Sequence, residues 1–197
     1  MPLQQSIDLA RADRVGKEGI AEDVLARALT RTGEARDWLR ARHADGALPL
    51  PLLRLPAETD DLDAIVQAAE KLRRGATDIV LLGTGGSSLG GQTLAQLAGS
   101  NVPGVGALRE PPRLHFMDNL DPLTFARVMD ALPMKTTRFV AISKSGGTGE
   151  TLMQASVAIA ALEAAGVGKR MAKHLFGLTE PEKPGKTNAL RALLAPY

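Results

Sequence analysis

The stretch Phe139-Val140-Ala141-Ile142-Ser143-Lys144-Ser145-Gly146-Gly147-Thr148-Gly149-Glu150-Thr151 decides the fold. A short apolar run is followed by a turn of glycines and hydroxyls, and then by an apolar-periodic segment from Leu152 to Ala165. Strand, turn and helix in that order make an anion cradle. The first N–H groups of a helix have no intrahelical partner, and the helix dipole favours negative charge there. Glycines let the backbone close around an anion, and Ser and Thr hydroxyls add donors.

A second stretch of the same design lies upstream. Gly83-Thr84-Gly85-Gly86-Ser87-Ser88-Leu89-Gly90-Gly91 follows the apolar run Ile79-Val80-Leu81-Leu82. Glycines alone could serve tight strand–helix turns with Ser and Thr as caps. Two such turns at equivalent strand ends favour a shared ligand.

From Asp78 onward the pattern alternates. Expected strands are Ile79–Leu82, Leu114–Met117, Phe139–Ile142 and Leu175–Leu178, and expected helices are Ser88–Leu97, Pro122–Leu132, Glu150–Ala165 and Thr187–Leu194. Short apolar runs without polar alternation are the mark of parallel strands covered on both faces. The expectation is an α/β fold, a doubly wound parallel sheet flanked by helices, with ligands at the carboxyl ends of the strands.

The first turn fails two familiar nucleotide patterns. After Gly83 and Gly85, a dinucleotide fingerprint would need glycine where Ser88 stands. Gly86 and Gly91 have the spacing of a triphosphate loop, but Gln92-Thr93 follows where Lys and Ser or Thr belong, so the cation for the β- and γ-phosphates is missing. A single phosphate monoester suits what remains: hydroxyls, amides and one lysine.

Upstream, Ile20, Val24, Leu25, Ala28, Leu29, Ala35, Trp38 and Leu39 form a helical stripe that predicts a packing helix, with Gly33 either breaking it or lying within it. Leu48-Pro49-Leu50-Pro51-Leu52-Leu53-Arg54-Leu55-Pro56 predicts an extended connector whose leucines lie against the protein surface. Asp60 is placed to N-cap a helix with Leu62, Ile65, Val66, Ala69 and Leu72 on one face, ending before Gly75. The expected organisation is an α-helical extension and connector over residues 1–58 and an α/β domain over 59–197.

Composition narrows the function. The 197 residues are 44% hydrophobic, 23% charged and only 3% aromatic, with a net charge of +2 and no cysteine. Leu, Val, Ile and Ala must therefore fill the core. Disulfides and thiolate chemistry are excluded. Interspersed charges and few aromatics argue against nucleic acid. No signal-peptide core and no run long enough to span a bilayer is present, so a cytoplasmic protein without membrane partners is expected. No metal site and no cofactor is expected.

The motifs resemble those of the glucose-6-phosphate isomerase family, whose members are built of two sugar-isomerase (SIS) domains. Gly83-Thr84-Gly85-Gly86-Ser87-Ser88-Leu89-Gly90 is similar to the family's Gly-Ile-Gly-Gly-Ser-x-Leu-Gly, and Ser143 to Thr151 to Ser-Lys-(Ser/Thr)-x-(Gly/Thr)-Thr-x-Glu-Thr. Asp118-Asn119-Leu120-Asp121-Pro122 resembles the segment after the second strand. The resemblance covers about residues 60–195 and implies the first SIS domain. It implies that Gly86 and Ser87 touch a sugar phosphate, and that Ser143, Lys144, Ser145, Gly146, Gly147 and Thr148 form the main phosphate loop, with Glu150 and Thr151 supporting it. Ser145 keeps the hydroxyl that relatives carry as Thr. Gly147 drops one side chain that some relatives have.

The family isomerises aldose to ketose through an enediolate, using a glutamate, a histidine, an arginine and a lysine. The resemblance implies that all four lie beyond Tyr197, and that none of His43, His115 and His174 is catalytic. It also implies a homodimer. A non-catalytic SIS domain that senses a sugar phosphate is the alternative expectation.

Overall fold

A computed structural model describes residues 6–44, 51–100 and 112–197. The chain divides into two compact units, Met1–Leu62 and Asp63–Tyr197.

In the first unit a 3-10 turn at Asp8–Ala10 leads into the short helix α1 (Ala12–Val15) and the long helix α2 (Glu22–Ala44). Arg11 ties the two together: its backbone bridges to Ile20 and its guanidinium meets Glu22 at 2.6 Å. Gly33 lies inside a continuous helix. The expected packing stripe is exposed instead, with Val24, Leu29 and Trp38 all open, and Arg42 stacks over the Trp38 ring at 4.1 Å. The Pro-rich segment also departs from its expectation. Residues 48–50 lie outside the described residues, and the rest folds into 3-10 turns at Pro51–Leu53 and Leu55–Ala57 with Leu52, Leu53 and Leu55 exposed. Proline bars the α-helix ladder but permits a single 3-10 turn, because its fixed φ suits one.

Helix α3 (Leu62–Arg73) belongs, all but its first residue, to the second unit. It starts one residue later than an Asp60 cap would set it, and none of its residues is buried. Then come β1 (Asp78–Leu82), α4 (Gly86–Leu97), β2 (Arg113–Met117), α5 (Pro122–Ala131), β3 (Thr137–Ile142), α6 (Gly149–Ala164), a 3-10 segment at Gly168–Lys173, β4 (Leu175–Leu178) and α7 (Ala189–Leu194). Every strand pairing is parallel, in the order β2-β1-β3-β4.

β1 and β3 are central and almost wholly buried, whereas β2 and β4, at the edges, are half-open. Coverage on both faces thus holds for the central pair. The core gathers Val80, Leu82, Phe139 and Ala141 of these strands against Phe125 and Met129 of α5 and Ala155, Ala158, Ile159 and Leu162 of α6. Small residues on α6 let the helix approach the sheet closely. At the amino end of the sheet Asp78 is fully buried, gripped by Arg113 through two hydrogen bonds of 2.8 Å and by His115 Nε2 at 2.7 Å. Burial pushes the Asp78 carboxyl up, but hydrogen bonds from Arg113, His115 and Thr77 outweigh it and hold the group below the usual carboxylate range.

Candidate functional site

β1 is the strand at which the chain reverses direction, with β2 on one side and β3 on the other. The connections around such a strand leave opposite faces of the sheet, and a crevice opens beyond the carboxyl ends. The two glycine-rich turns follow β1 and β3 and border that crevice.

The first turn is pinned by Gly83, whose N–H donates to the Met117 carbonyl at 3.3 Å. A Cβ at Gly83 would stand 3.1 Å from the Ile142 carbonyl oxygen, closer than ordinary contact, so glycine is what lets the two turns lie side by side. Gly85 precedes α4 and provides no side-chain cap, so the amides of the first helical turn, including those of Gly86, Ser87 and Ser88, make at most short turn bonds. Gly86 is exposed and Ser87 half-buried. Ser88 is buried and held by Gln92 Nε2 at 2.8 Å, which also reaches Asp118 at 3.2 Å.

The second turn is more tightly built. Ser143 is buried and its hydroxyl lies 2.9 Å from that of Thr148, closing the loop across its neck. Gly146 turns the chain at φ 70°, its N–H bonding to the Ser143 carbonyl, and Gly147 N–H bonds to Ser145 Oγ at 3.2 Å. Lys144 and Ser145 are exposed. The first intrahelical bond of α6 runs from Leu152 N–H to the Thr148 carbonyl, and Thr148 gives no side-chain cap. The amides of Gly149, Glu150 and Thr151 therefore have no helical partner. Glu150 is exposed in this first turn. Thr151 is fully buried, and its hydroxyl has no partner among the described residues.

Several supporting residues carry no sequence signal. Gln154, fully buried one turn along α6, donates from Nε2 to the Met117 and Asn119 carbonyls, each at 3.0 Å. It ties α6 to the segment after β2. There Asp121 caps α5 by accepting from Thr124 N–H at 2.7 Å, and hydrogen bonds from the Thr124 side chain and backbone hold its carboxyl below the usual range. Asn188 caps α7 by accepting from Arg191 N–H at 3.0 Å, and donates to Thr179 Oγ1 at 2.8 Å and the Ser145 carbonyl at 3.4 Å. Only an Asn just before the last apolar run could have hinted at the cap; the loop contacts are long-range.

The two histidines of the second unit bond away from the crevice. His115 contacts Asp78, and His174 is buried at the start of β4 with Nδ1 2.8 Å from the Thr137 carbonyl, both at the amino end of the sheet. Among the described residues no group of three or more His, Cys, Asp or Glu is placed to hold a metal ion, and no helix is long and apolar enough to cross a membrane.

The family model described as Phosphoglucose isomerase matches residues 64–187, which include both turns and the segment between them. The chain belongs to the phosphoglucose isomerase family. A glucose-6-phosphate isomerase of Rubrobacter xylanophilus is 37% identical over 149 residues, covering 73% of this chain and 34% of that protein. One of Thermus thermophilus is 33% identical over 160 residues, covering 79% and 36%. Among solved structures, a hypothetical protein, TT0462, also of Thermus thermophilus, superposes with a TM-score of 0.63 at 29% identity, over 88% of this chain and 39% of that one. The chain thus spans about a third of the length of the curated relatives it matches.

Proposed function

We propose that this chain is the sugar-phosphate-holding part of a glucose-6-phosphate isomerase, which interconverts glucose 6-phosphate and fructose 6-phosphate in glycolysis and gluconeogenesis. The reading is carried by one observation: two helix starts without side-chain caps follow the adjacent strands β1 and β3, at the point where the sheet reverses. The amides of Gly86 at the first start and of Gly149, Glu150 and Thr151 at the second have no helical partner and attract an anion, while those of Ser87 and Ser88 bond to the Thr84 and Gly85 carbonyls. Gly86 and Ser87 meet the phosphate from one side. Ser143, Lys144, Ser145, Gly146, Gly147 and Thr148 surround it from the other, with Lys144 adding a full positive charge. Glu150 and Thr151 order the helix start.

Holding the non-reacting phosphate positions the sugar for chemistry elsewhere in the site, which is how remote binding energy lowers a barrier. Ring opening and proton transfer between C1 and C2 need a base and proton donors, and His115 and His174 are committed to contacts at the other end of the sheet. The family resemblance supports a domain over residues 59–197 behind a helical extension over 1–58, a homodimer, and a place in the cytoplasm.

The test is a titration of the isotope-labelled chain with glucose 6-phosphate, following the amides of Gly146 to Thr151. Glucose 6-phosphate and inorganic phosphate should shift them, free glucose should not, and a coupled assay should record no isomerase turnover. Unchanged amide positions at millimolar sugar phosphate would refute the proposal.

A further inference from the structure

The segment Thr179–Leu190 runs alongside the loop Ser143–Thr148 and is stitched to it. The Lys144 carbonyl accepts from Thr179 Oγ1 at 3.1 Å and from Glu180 N–H at 3.0 Å. Leu190 N–H donates to the Gly146 carbonyl at 2.9 Å. Whatever this segment carries is held in register with the loop.

It carries two lysines at the ends of a tight turn. In Lys183-Pro184-Gly185-Lys186 the Lys186 N–H bonds to the Lys183 carbonyl at 3.1 Å and Gly185 has φ 73°. Proline followed by a residue of positive φ is the pattern of a type II turn, which brings its first and fourth residues within about 7 Å of each other. The two ammonium stems therefore start side by side. A small cavity of about 60 Å³ has Ser145 of the loop, Glu180, Glu182, Lys183, Lys186 and Asn188 in its wall. Glu180 accepts from Lys183 Nζ at 2.5 Å, and that hydrogen bond, with the charges of Lys183, Lys186 and Lys144, holds its carboxyl below the usual range. Three lysines thus stand against Glu180 and Glu182, leaving positive charge in excess beside the loop.

We infer that the Lys183-Pro184-Gly185-Lys186 turn is a second cationic arm of the phosphate site, with Glu180 as the counter-ion that holds Lys183. When a phosphate monoester dianion enters the loop, Lys183 exchanges Glu180 for phosphate oxygen, and Lys186 and Lys144 complete the charge around it. The inference rests on the phosphate reading above. It extends that site to residues outside the glycine-rich turns.

Inorganic phosphate is the probe, titrated into the isotope-labelled 197-residue chain at low and at high salt, with the loop amides as readout. Lys183→Gln/Lys186→Gln should weaken binding about fivefold, since each partly exposed charge pair contributes about a factor of two. It should also flatten the salt dependence, because fewer charges are left to screen. Glu180→Gln should tighten binding about threefold by freeing Lys183. Lys169→Gln, on the 3-10 segment, controls for net charge and should bind as the parent does; urea midpoints verify that all variants fold. If the parent binds phosphate and the double variant binds equally well with the same salt response, this inference fails and the loop reading stands. If the parent loop amides do not respond at all, both fail.

Discussion

Replacing Gly146 with alanine should destabilise the α/β unit by about 3–4 kcal/mol, and the structure divides that figure into parts. Gly146 sits at φ 70°, where an L-residue costs about 1–2 kcal/mol. A Cβ there would run into the Asn188 side chain. Moving Asn188 gives up the N-cap on Arg191 N–H, about 1 kcal/mol, and the hydrogen bond to Thr179 Oγ1, about 1 kcal/mol. With a urea slope of about 2 kcal/mol/M, the midpoint should fall by about 1.5–2 M. The decisive comparison is the same substitution in an Asn188→Ala background. There the cap and the hydrogen bond are already lost and the obstructing atoms are absent, so only the backbone cost should remain. The cycle should return a coupling of about 2 kcal/mol. A loss below about 1 kcal/mol for Gly146→Ala, or an equal loss in both backgrounds, would show that Asn188 does not brace the loop.

Acid should act on the fold in two steps. His174 is buried beside Arg138, and burial, reinforced by the charges of Arg138, Arg170 and Lys173 and only partly offset by the Thr137 carbonyl, holds it below its ordinary 6.5. The unfolded chain then binds the proton more readily, so stability is complete above that value and declines as pH falls below it. His174→Gln should flatten the decline below the ordinary 6.5 in urea titrations. Asp78 is also held low, so its contribution is present above the ordinary carboxylate value near 3.8 and is lost as pH falls through its depressed one; Asp78→Asn should remove that final step. Gln154→Leu should cost about 1–3 kcal/mol, because it strips a donor from two carbonyls in the interior. It should also weaken phosphate binding without moving the salt dependence, as expected of a residue that positions the loop rather than contacting the anion. A variant as stable as the parent would mean that removing Gln154 Oε1, which is buried without a partner among the described residues, offsets the two lost bonds.

Much of the α/β unit was legible because its punctuation is local. β4 matches its expected range, the other strands start one or two residues earlier, and α6 is displaced by a single residue. Glycines, hydroxyls and β-branched runs set those limits through torsional preference alone. The Gly168–Lys173 turn was not legible, since a lone 3-10 segment has no periodicity to read. Apolar stripes misled in one respect. α3 and α2 have faces that predict burial, yet Ile65, Val66, Leu29 and Trp38 are exposed. A stripe records what a helix can bury, whereas burial needs a surface opposite it.

The sequence by itself determined the strand–turn–helix order, the two turns of glycines and hydroxyls, and the absence of the nucleotide patterns. These depend on residues adjacent in the chain, where dihedral preference and helix-end chemistry act without help. Only the tertiary structure decided that β1 lies between β2 and β3, that Ser143 closes on Thr148, and that Gln154, Asn188 and the Lys183–Lys186 turn stand around the loop. Those arrangements join residues up to 59 positions apart, as the pairing of Asp78 with Thr137 shows. Their energies exist only after parallel pairing has met the cost of closing long loops.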